Sequence, residues 1–499
     1  MLVNKNDIYE ITINDIGNEG EGIGHIQEDV ADSFVTSKGE NRGIAVFVKD
    51  TVIGDVIKVK IIKVKKNYAY GRLMEIVTPS PYRIEAVCAN ARRCGGCSIM
   101  HMMYEKQLEY KFNKVKNCLE RIGGLTGIES LMEPIYGMDN PYNYRNKMQF
   151  PVGLDRDKKV QIGFYAGRTH SIIDLSKCDI GHPVNEYLVK YIRIWLQDNN
   201  DKTGHFIYNE ETGRGLVRHI LTRVGFVTGE LMICVVINGN NLDKPVCEEL
   251  NKTLENAVHE YNEVDKTGKK IKLTSVSINI NKEKTNKILG KKCVTLYGQD
   301  YISDYIGDVK FNISPLSFYQ VNPLQTKVLY DKAVEYADLS GNETVWDMYC
   351  GIGTISLCLA QKAKKVYGVE IVPQAIEDAK ENARLNNIEN TQFYCGKAEE
   401  VVPQFYGDAN QNGEGKHPDV VVVDPPRKGC DAVLLDTIDQ MSPNRLVYVS
   451  CDPATLARDV KILVEKGFEV KKIAVVDQFS HSSHVETCVL LAKTNVREV

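Results

Sequence analysis

The sequence predicts a multidomain chain: an N-terminal OB-like β-barrel, a central α+β domain, and a C-terminal Rossmann-like α/β domain on a parallel, doubly wound sheet. Three observations predict it. Short alternating strands separated by glycines fill residues 1–78. From about residue 316, apolar strands alternate with helical stretches, the pattern of strands joined by crossover helices. The stretch between, 79–315, mixes both patterns. A length of 499 residues suits two to four domains, and 43% hydrophobic with 26% charged residues is the composition of a globular protein.

In the first region, IYEITINDI (8–16), GIAVFVKD, GDVIKVKIIKVK and YAYGRLMEIV read as strands, and GNEGEGIGHI (17–26) reads as a glycine-rich turn. Lys58 to Arg72 holds six basic residues and no acid. With Tyr68 and Tyr70 it predicts a nucleic-acid surface, because cations meet phosphates and rings stack on bases. This patch outweighs the net charge of −4 as a guide to partners. TPSPYR (78–83) reads as a linker.

In the second region, Tyr104 to Arg121 reads as a helix, LMICVVI and KLTSVSINI as strands, and HEYNEVDKTGKKIK (259–272) as a polar surface loop. In the third, ETVWDMYC, KVYGVEI, DVVVVDPP and RLVYVSC read as strands, with helices after the first two. NQNGEGKHP (410–418) reads as a surface insertion. Seven scattered cysteines, Cys118, Cys234, Cys247, Cys293, Cys358, Cys395 and Cys488, are expected to be small buried hydrophobes.

Asp347-Met-Tyr349-Cys-Gly351-Ile-Gly353 ends a strand and opens a helix. Glycines there let a nucleotide approach the backbone, and Glu370, at the next strand's end, can accept both ribose hydroxyls. A dinucleotide site wants a third glycine, where this chain has Ser356. S-adenosylmethionine, which has no phosphates, fits the shorter turn.

Two further strands end in reactive groups, Asp424-Pro-Pro-Arg427 and Cys451. Ligands of open α/β sheets bind at the carboxyl ends of strands, so these residues converge with the cofactor turn. Cys451 precedes a helix, whose positive end is expected to lower its pKa. Carbon 5 of a pyrimidine is too weak a nucleophile to take a methyl group unaided. A thiolate added at carbon 6 makes carbon 5 enolate-like, and a base must then remove the carbon 5 proton. Glu486, entering an apolar strand, is the carboxylate available for that task.

SFYQVN (317–322), DMYCGIGTISL (347–357), VVVDPPRKG (421–429), SCDPATLARD (450–459) and HVETC (484–488) together resemble the RNA uracil-5-methyltransferase family, in its form with a TRAM domain and an iron–sulfur cluster. The resemblance implies Cys451 as nucleophile, Glu486 as general base, and cofactor contacts at Gln320, Tyr349, Gly351, Glu370 and Asp424. It implies that Asp424 also faces the target base. It makes residues 1–78 a TRAM barrel, 79–315 the central domain and 316–499 the methyltransferase domain. Tyr144, Arg145 and Lys147 match a family stretch near the substrate. Thr354 and Lys397 depart from the family pattern, and neither is counted in the site.

By the same resemblance, Cys88, Cys94, Cys97 and Cys178 would hold a 4Fe–4S cluster. Spacing alone allows zinc or an iron–sulfur cluster. The barrel and cluster point to ribosomal RNA by analogy, with the transfer RNA T-loop as the alternative. A cytosine-5-methyltransferase is disfavoured because Arg427, not cysteine, follows Asp424-Pro-Pro. An amino-group methyltransferase would carry an aromatic residue there and need no thiol. An inactive RNA-binding iron–sulfur protein would not keep the full set Asp347, Glu370, Asp424, Cys451 and Glu486. No run of about 18 apolar residues exists and the N-terminus lacks a signal pattern, so a cytoplasmic protein without a membrane partner is expected; a monomer is the default expectation, since the sequence carries no sign of oligomeric state.

Overall fold

The computed structural model describes residues 3–27, 43–167, 169–412 and 418–494. The chain packs as two compact units, Met1–Lys114 with Phe479–His484, and Val115–Gln478 with Val485–Val499. The three expected regions each carry a sheet of their own.

The first unit opens with a closed barrel of β1 (Ile8–Ile16), β2 (Gly22–Ile26), β3 (Ile44–Val48), β4 (Val56–Val64) and β5 (Tyr68–Thr78), in the order β1-β2-β3-β5-β4. Alternation fills its interior with Ile11, Ile13, Val46, Val48, Ile57, Val59, Ile61 and Ala69. Half of the expected glycine turn is in fact β2. Gly22 sits there because a Cβ would stand 2.1 Å from Thr51 Oγ1, so backbone packs where no side chain fits. The expected linker 78–83 is also tied down. Asp55 is wholly buried, accepts from Ser80 N at 2.9 Å, and is bound by Arg83 Nη2 at 2.5 Å. The unit continues into α1 (Tyr104–Arg121), as expected.

The second unit holds two seven-stranded sheets. The first is built from β6 (Lys147–Leu154), β7 (Val160–Tyr165), β8 (Ile172–Asp174), β9 (Val217–Val224), β10 (Glu230–Ile237), β11 (Lys272–Ile280) and β12 (Lys292–Gly298), ordered β12-β11-β10-β9-β6-β7-β8. Helices α2 (Val184–Thr203) and α3 (Lys244–Val264) bury Leu188, Ile192, Trp195, Leu250 and Leu254 in one core with Leu231, Ile233, Val235 and Ile237. The expected loop 259–272 is therefore helical to Val264. Tyr261 continues the buried stripe of Leu254, Ala257 and Val258, while the polar residues that suggested a loop are the helix's outer face.

After a hairpin of β13 (Ile302–Ile306) and β14 (Val309–Ile313) comes α4 (Pro323–Ala337), capped by Asn322, whose side chain accepts from Gln325 N. The alternating region follows: β15 (Thr344–Asp347), α5 (Thr354–Ala360), β16 (Lys365–Glu370), α6 (Pro373–Leu385), β17 (Thr391–Cys395), α7 (Ala398–Asn412), β18 (Val420–Val423), α8 (Ala432–Met441), β19 (Arg445–Ser450), α9 (Pro453–Glu465), β20 (Phe468–Val476) and β21 (Glu486–Lys493). The sheet order is β17-β16-β15-β18-β19-β21-β20. The first five strands are parallel, as the pattern predicts, but β21 is antiparallel to β19 and β20. Of the expected insertion 410–418, residues 413–417 lie outside the described residues and 410–412 close α7.

Of the scattered cysteines, Cys118, Cys234 and Cys488 are buried as expected, but Cys395 is exposed and Cys247, Cys293 and Cys358 are half-buried. Cys358 and Cys247 still pack against the hydrophobic cores of the second unit. No helix among the described residues is long and apolar enough to cross a membrane.

Candidate active site

Sheet order decides which side chains meet. Along the carboxyl edge the parallel strands end, in order, at Glu370 (β16), Asp347 (β15), Asp424 just past β18 and Cys451 just past β19. Strand order reverses between β15 and β18, which is where open α/β sheets open a crevice for ligands. Because β21 runs the other way, its beginning reaches this edge. Ser450 pairs with Thr487, so continuing the register one residue sets Cys451 opposite Glu486.

The β15–α5 turn forms the cofactor half. Gly351 and Gly353 have φ of 54° and 85°, the left-handed region that favours glycine. A Cβ on Gly351 would meet no atom within 4 Å, so open space lies over the turn. Beneath it, wholly buried Asp347 accepts from Ser356 Oγ at 2.6 Å and, more weakly, from Tyr349 N at 3.4 Å. Burial lifts the Asp347 carboxyl to about 6 against these bonds. Glu370 Oε1 accepts from Val372 N at 2.9 Å, and among the described residues nothing donates to Oε2. Half-buried Tyr349 has its phenol held protonated by burial. Gln320 is 9% exposed, and its carbonyl accepts from Asn146 Nδ2 at 3.0 Å. These features fit an adenosine-bearing ligand: a glycine turn with room above it and a carboxylate with an open oxygen.

The chemical half is crowded with acids. Burial, then the charge of Asp347, lifts Asp424 to about 7. Glu486 is 3% exposed, and burial, then Asp424, holds its carboxyl well above the ordinary range. Cys451 is half-buried, and its thiol is pushed up to about 11 by burial, then by Glu486 and Asp424. The expected lowering by the helix end is not found. Asp452, the N-cap of α9, accepts from Ala454 N and Thr455 N and so satisfies the amides that would have served the sulfur. The cation that counters the acids at both Cys451 and Glu486 is Arg427.

The sequence placed Arg427 at the strand end beside Asp424 and used it against other families, but gave it no role in the site. A cation four residues past the end of β18, following one acid and two prolines, was the signal that could have found it. Tyr330 was missed outright. Buried on α4, it shares a 3.1 Å hydrogen bond with Thr354 and feels the charge of Asp424, but a tyrosine inside a helix announces nothing of this.

Arg145 and Lys147 stand together at the start of β6, where Arg145 Nε donates to Lys147 O at 3.0 Å. Burial, then the charges of Arg223 and Arg145, lowers the Lys147 ammonium to about 7. Tyr144 is buried. On the barrel, Phe47 joins Tyr68 and Tyr70 in an aromatic triad with centroids 5.5–5.9 Å apart. Parallel pairing of β3 with β5 places Phe47 beside Tyr70. Of the basic stretch, Lys58 is neutralised by Glu75 at 2.8 Å across the β4–β5 ladder.

Cys88, Cys94 and Cys97 belong to the first unit and Cys178 to the second, so neither unit holds the whole expected ligand set. Among the described residues no three His, Cys, Asp or Glu side chains are gathered in a way that could hold a metal ion.

Comparison with known proteins adds to this geometry. Residues 290–494 match the family model of tRNA (uracil-5-)-methyltransferases, and residues 3–74 match that of the TRAM domain. An RNA methyltransferase of Clostridium tetani is 47% identical over 490 residues, covering 98% of this chain and 97% of that protein. One from Bacillus cereus is 46% identical over 493 residues, covering 98% of each. The crystal structure of Pyrococcus abyssi tRNA (uracil-54, C5)-methyltransferase with S-adenosyl-L-homocysteine superposes with a TM-score of 0.72 at 25% identity, covering 97% of this chain and 99% of that one.

Proposed function

This chain belongs to the S-adenosylmethionine-dependent RNA uracil-5-methyltransferases, and we propose that it methylates carbon 5 of a uridine in large-subunit ribosomal RNA through a covalent bond from Cys451. The observation that supports the reading is the β19–β21 register: continued one residue past the Ser450–Thr487 pair, it sets the Cys451 thiol across from the buried Glu486 carboxyl, and both feel the charge of Asp424.

The cofactor supplies an electrophilic methyl group on a sulfonium. Glu370 holds its ribose, and Gln320, Tyr349, the Gly351 turn and Asp424 complete the contacts. As a thiolate, the Cys451 sulfur bonds to carbon 6 of the uracil, and the displaced electron pair on carbon 5 takes the methyl as the methyl–sulfur bond breaks with its electrons left on the departing thioether. Glu486 then takes the carbon 5 proton. The electrons of that bond restore the carbon 5–carbon 6 double bond, and the carbon 6–sulfur bond breaks to free the thiolate. Burial first, and the neighbouring acids second, raise Asp424, Glu486 and Cys451. The target uridine must leave its stack to reach the sulfur.

RNA carrying 5-fluorouridine tests the reading, because fluorine cannot be removed as the proton is. A stable adduct on the Cys451 peptide, absent from Cys451→Ala, is expected. An enzyme active on ordinary RNA that forms no such adduct overturns the mechanism.

The ribosomal target rests on the combination of barrel and cysteine motif. A second reading, the T-loop of transfer RNA, is favoured by the likeness to the Pyrococcus enzyme. Mapping 5-methyluridine in both RNAs from cells with and without this protein decides between them. The four-cysteine 4Fe–4S cluster is likewise proposed from spacing and family resemblance. Anaerobically purified protein should contain iron and sulfide, and zinc in their place would refute it.

A further inference from the structure

Residues 281–292 run from the end of β11 into the start of β12 and hold five lysines, Lys282, Lys284, Lys287, Lys291 and Lys292, against one acid, Glu283. All five are exposed. Among the described residues no carboxylate pairs with any of them, and Lys282 Nζ bonds to the neutral Asn240 Oδ1 at 2.6 Å. Elsewhere on the same unit Lys190, Lys202, Lys327 and Lys380 each meet a carboxylate at 2.5–3.5 Å. Unpaired like charges repel, so a chain free to move would spread them. This one is pinned. Buried Asn281 donates through Nδ2 to Lys287 O at 2.7 Å and Ile288 O at 2.9 Å, and accepts at Oδ1 from Glu283 N at 3.0 Å. Buried Asn279 accepts from Gly290 N at 2.7 Å and donates to Gly290 O at 2.9 Å. Arg218, also buried, donates to Asn281 O at 3.0 Å and Glu283 O at 2.8 Å. The loop before β9 lies against the segment: a Cβ on Gly213 would stand 2.8 Å from Lys284 Nζ. That loop adds exposed Arg214, and its Glu210 meets Arg218 at 3.6 Å, which leaves Glu211 and Glu283 as the remaining acids of the two segments.

This basic end is remote from the chemistry. β10 and β11 run parallel, from Glu230 beside Lys272 to Ile237 beside Ile280. At the first end Ser303 N donates to Glu230 Oε2 at 2.7 Å, and Arg223, paired with Met232, donates to Ser317 O at 3.0 Å in the loop that carries Gln320. The lysines stand past the second end, about 25 Å away along strands of this length. We propose that the β11–β12 connection, with Arg214, is a phosphate-binding surface that grips the RNA substrate at a distance from the methylated uridine. The proposal rests on RNA as the substrate and not on which RNA is modified. Each lysine that neutralises a phosphate releases a condensed counterion, so the grip ignores base sequence and weakens as salt rises. It acts on capture of the RNA and leaves bond making at Cys451 unchanged, because it lies a sheet's length from the loop of Gln320.

The test uses full-length enzyme carrying Lys284→Gln, Lys287→Gln, Lys291→Gln and Lys292→Gln together. Binding to a fluorescein-labelled RNA hairpin of about 40 nucleotides is followed by anisotropy from about 50 to 300 mM KCl. The slope of log Kd against log salt should fall by about 1.5 to 3.5, and affinity near 0.1 M salt should drop at least about tenfold. With RNA purified from cells lacking this protein as methyl acceptor, half-saturation should rise by a like factor while kcat stays within about twofold of wild type. A control with Lys190→Gln, Lys202→Gln, Lys327→Gln and Lys380→Gln makes the same charge change on paired lysines and should keep the wild-type slope to within about 0.5. Lys287→Gln with Lys292→Gln should show about half the effect, and it decides the matter if the fourfold variant does not fold. Equal slopes in wild type, the fourfold variant and the control overturn the proposal. So does a loss of binding to ribosomal particles with none to protein-free RNA, which would assign the lysines to an acidic protein partner. Should the slope fall as expected while wild-type enzyme transfers no methyl to uridine, the surface stands and the uridine reading fails.

Discussion

The thiol of Cys451 offers a quantitative test of the site's electrostatics. Its ordinary value of 9.0 is raised to about 11, chiefly by burial and next by the charge of Glu486. At pH 8 a thiol with that pKa is only about one part in a thousand thiolate, the form that reacts with alkylating agents. Replacing Glu486 with Gln removes the second cause and leaves the first. The whole rise corresponds to about a hundredfold in ionisation, and burial takes the largest share. The substitution should therefore restore roughly three- to tenfold in thiolate at a fixed alkaline pH. The sign follows from charge: an uncharged amide cannot repel the thiolate, so the titration moves to lower pH. Because the Glu486 carboxyl itself ionises late, the two proteins should differ only above its titration. The assay is iodoacetamide alkylation from pH 7.5 to 10.5, read by mass spectrometry on the peptide containing Cys451. If Glu486→Gln alkylates there no faster than wild type across the alkaline range while remaining folded, the two groups do not face each other and the site is wrongly assembled.

Two further outcomes follow from the same carboxylates. Asp424 is raised from 3.8 to about 7, so between those values the folded protein binds a proton that the unfolded chain has lost, and stability falls as pH rises through the window. Asp424→Asn should raise the melting temperature at pH 8, by a gain no greater than about 4 kcal/mol that shrinks toward pH 4, while methylation is lost; a lower melting temperature at pH 8 would contradict the burial cost. Glu370→Ala should weaken S-adenosylmethionine binding by about 1.5–3 kcal/mol, roughly 10- to 100-fold in Kd by calorimetry, with folding unchanged. An unaltered Kd would remove Glu370 from the cofactor site.

Much of this was readable in the residues. Strands such as KLTSVSINI and RLVYVSC have a period and apolar content that survive any tertiary context, and β11 and β19 lie where they were expected. The strand-end positions of Glu370, Asp424 and Cys451 followed, since parallel strands deliver their carboxyl ends to one edge. Two of the failures were set by three-dimensional neighbours and one by an adjacent cap residue. The glycines of β2 read as a turn because the constraint on Gly22 is the distant Thr51. The helix end could not lower the Cys451 pKa because Asp452, adjacent in sequence, takes the amides first. The antiparallel course of β21 has no local signature, so the partner of Glu486 had to be assumed from resemblance until the register supplied it.

That reversed last strand has a consequence for how mutations can act on the site. Side chains on a strand alternate between faces, so sliding β21 by one residue would offer Thr487 where Glu486 now stands. Such a slip would also eject Cys488, Val489 and Leu491, all fully buried, from their places in the interior. Hydrophobic matching therefore proofreads the alignment of nucleophile and proton acceptor. An insertion anchored in the segment between β20 and β21 can lengthen the chain there without changing which atom faces the sulfur.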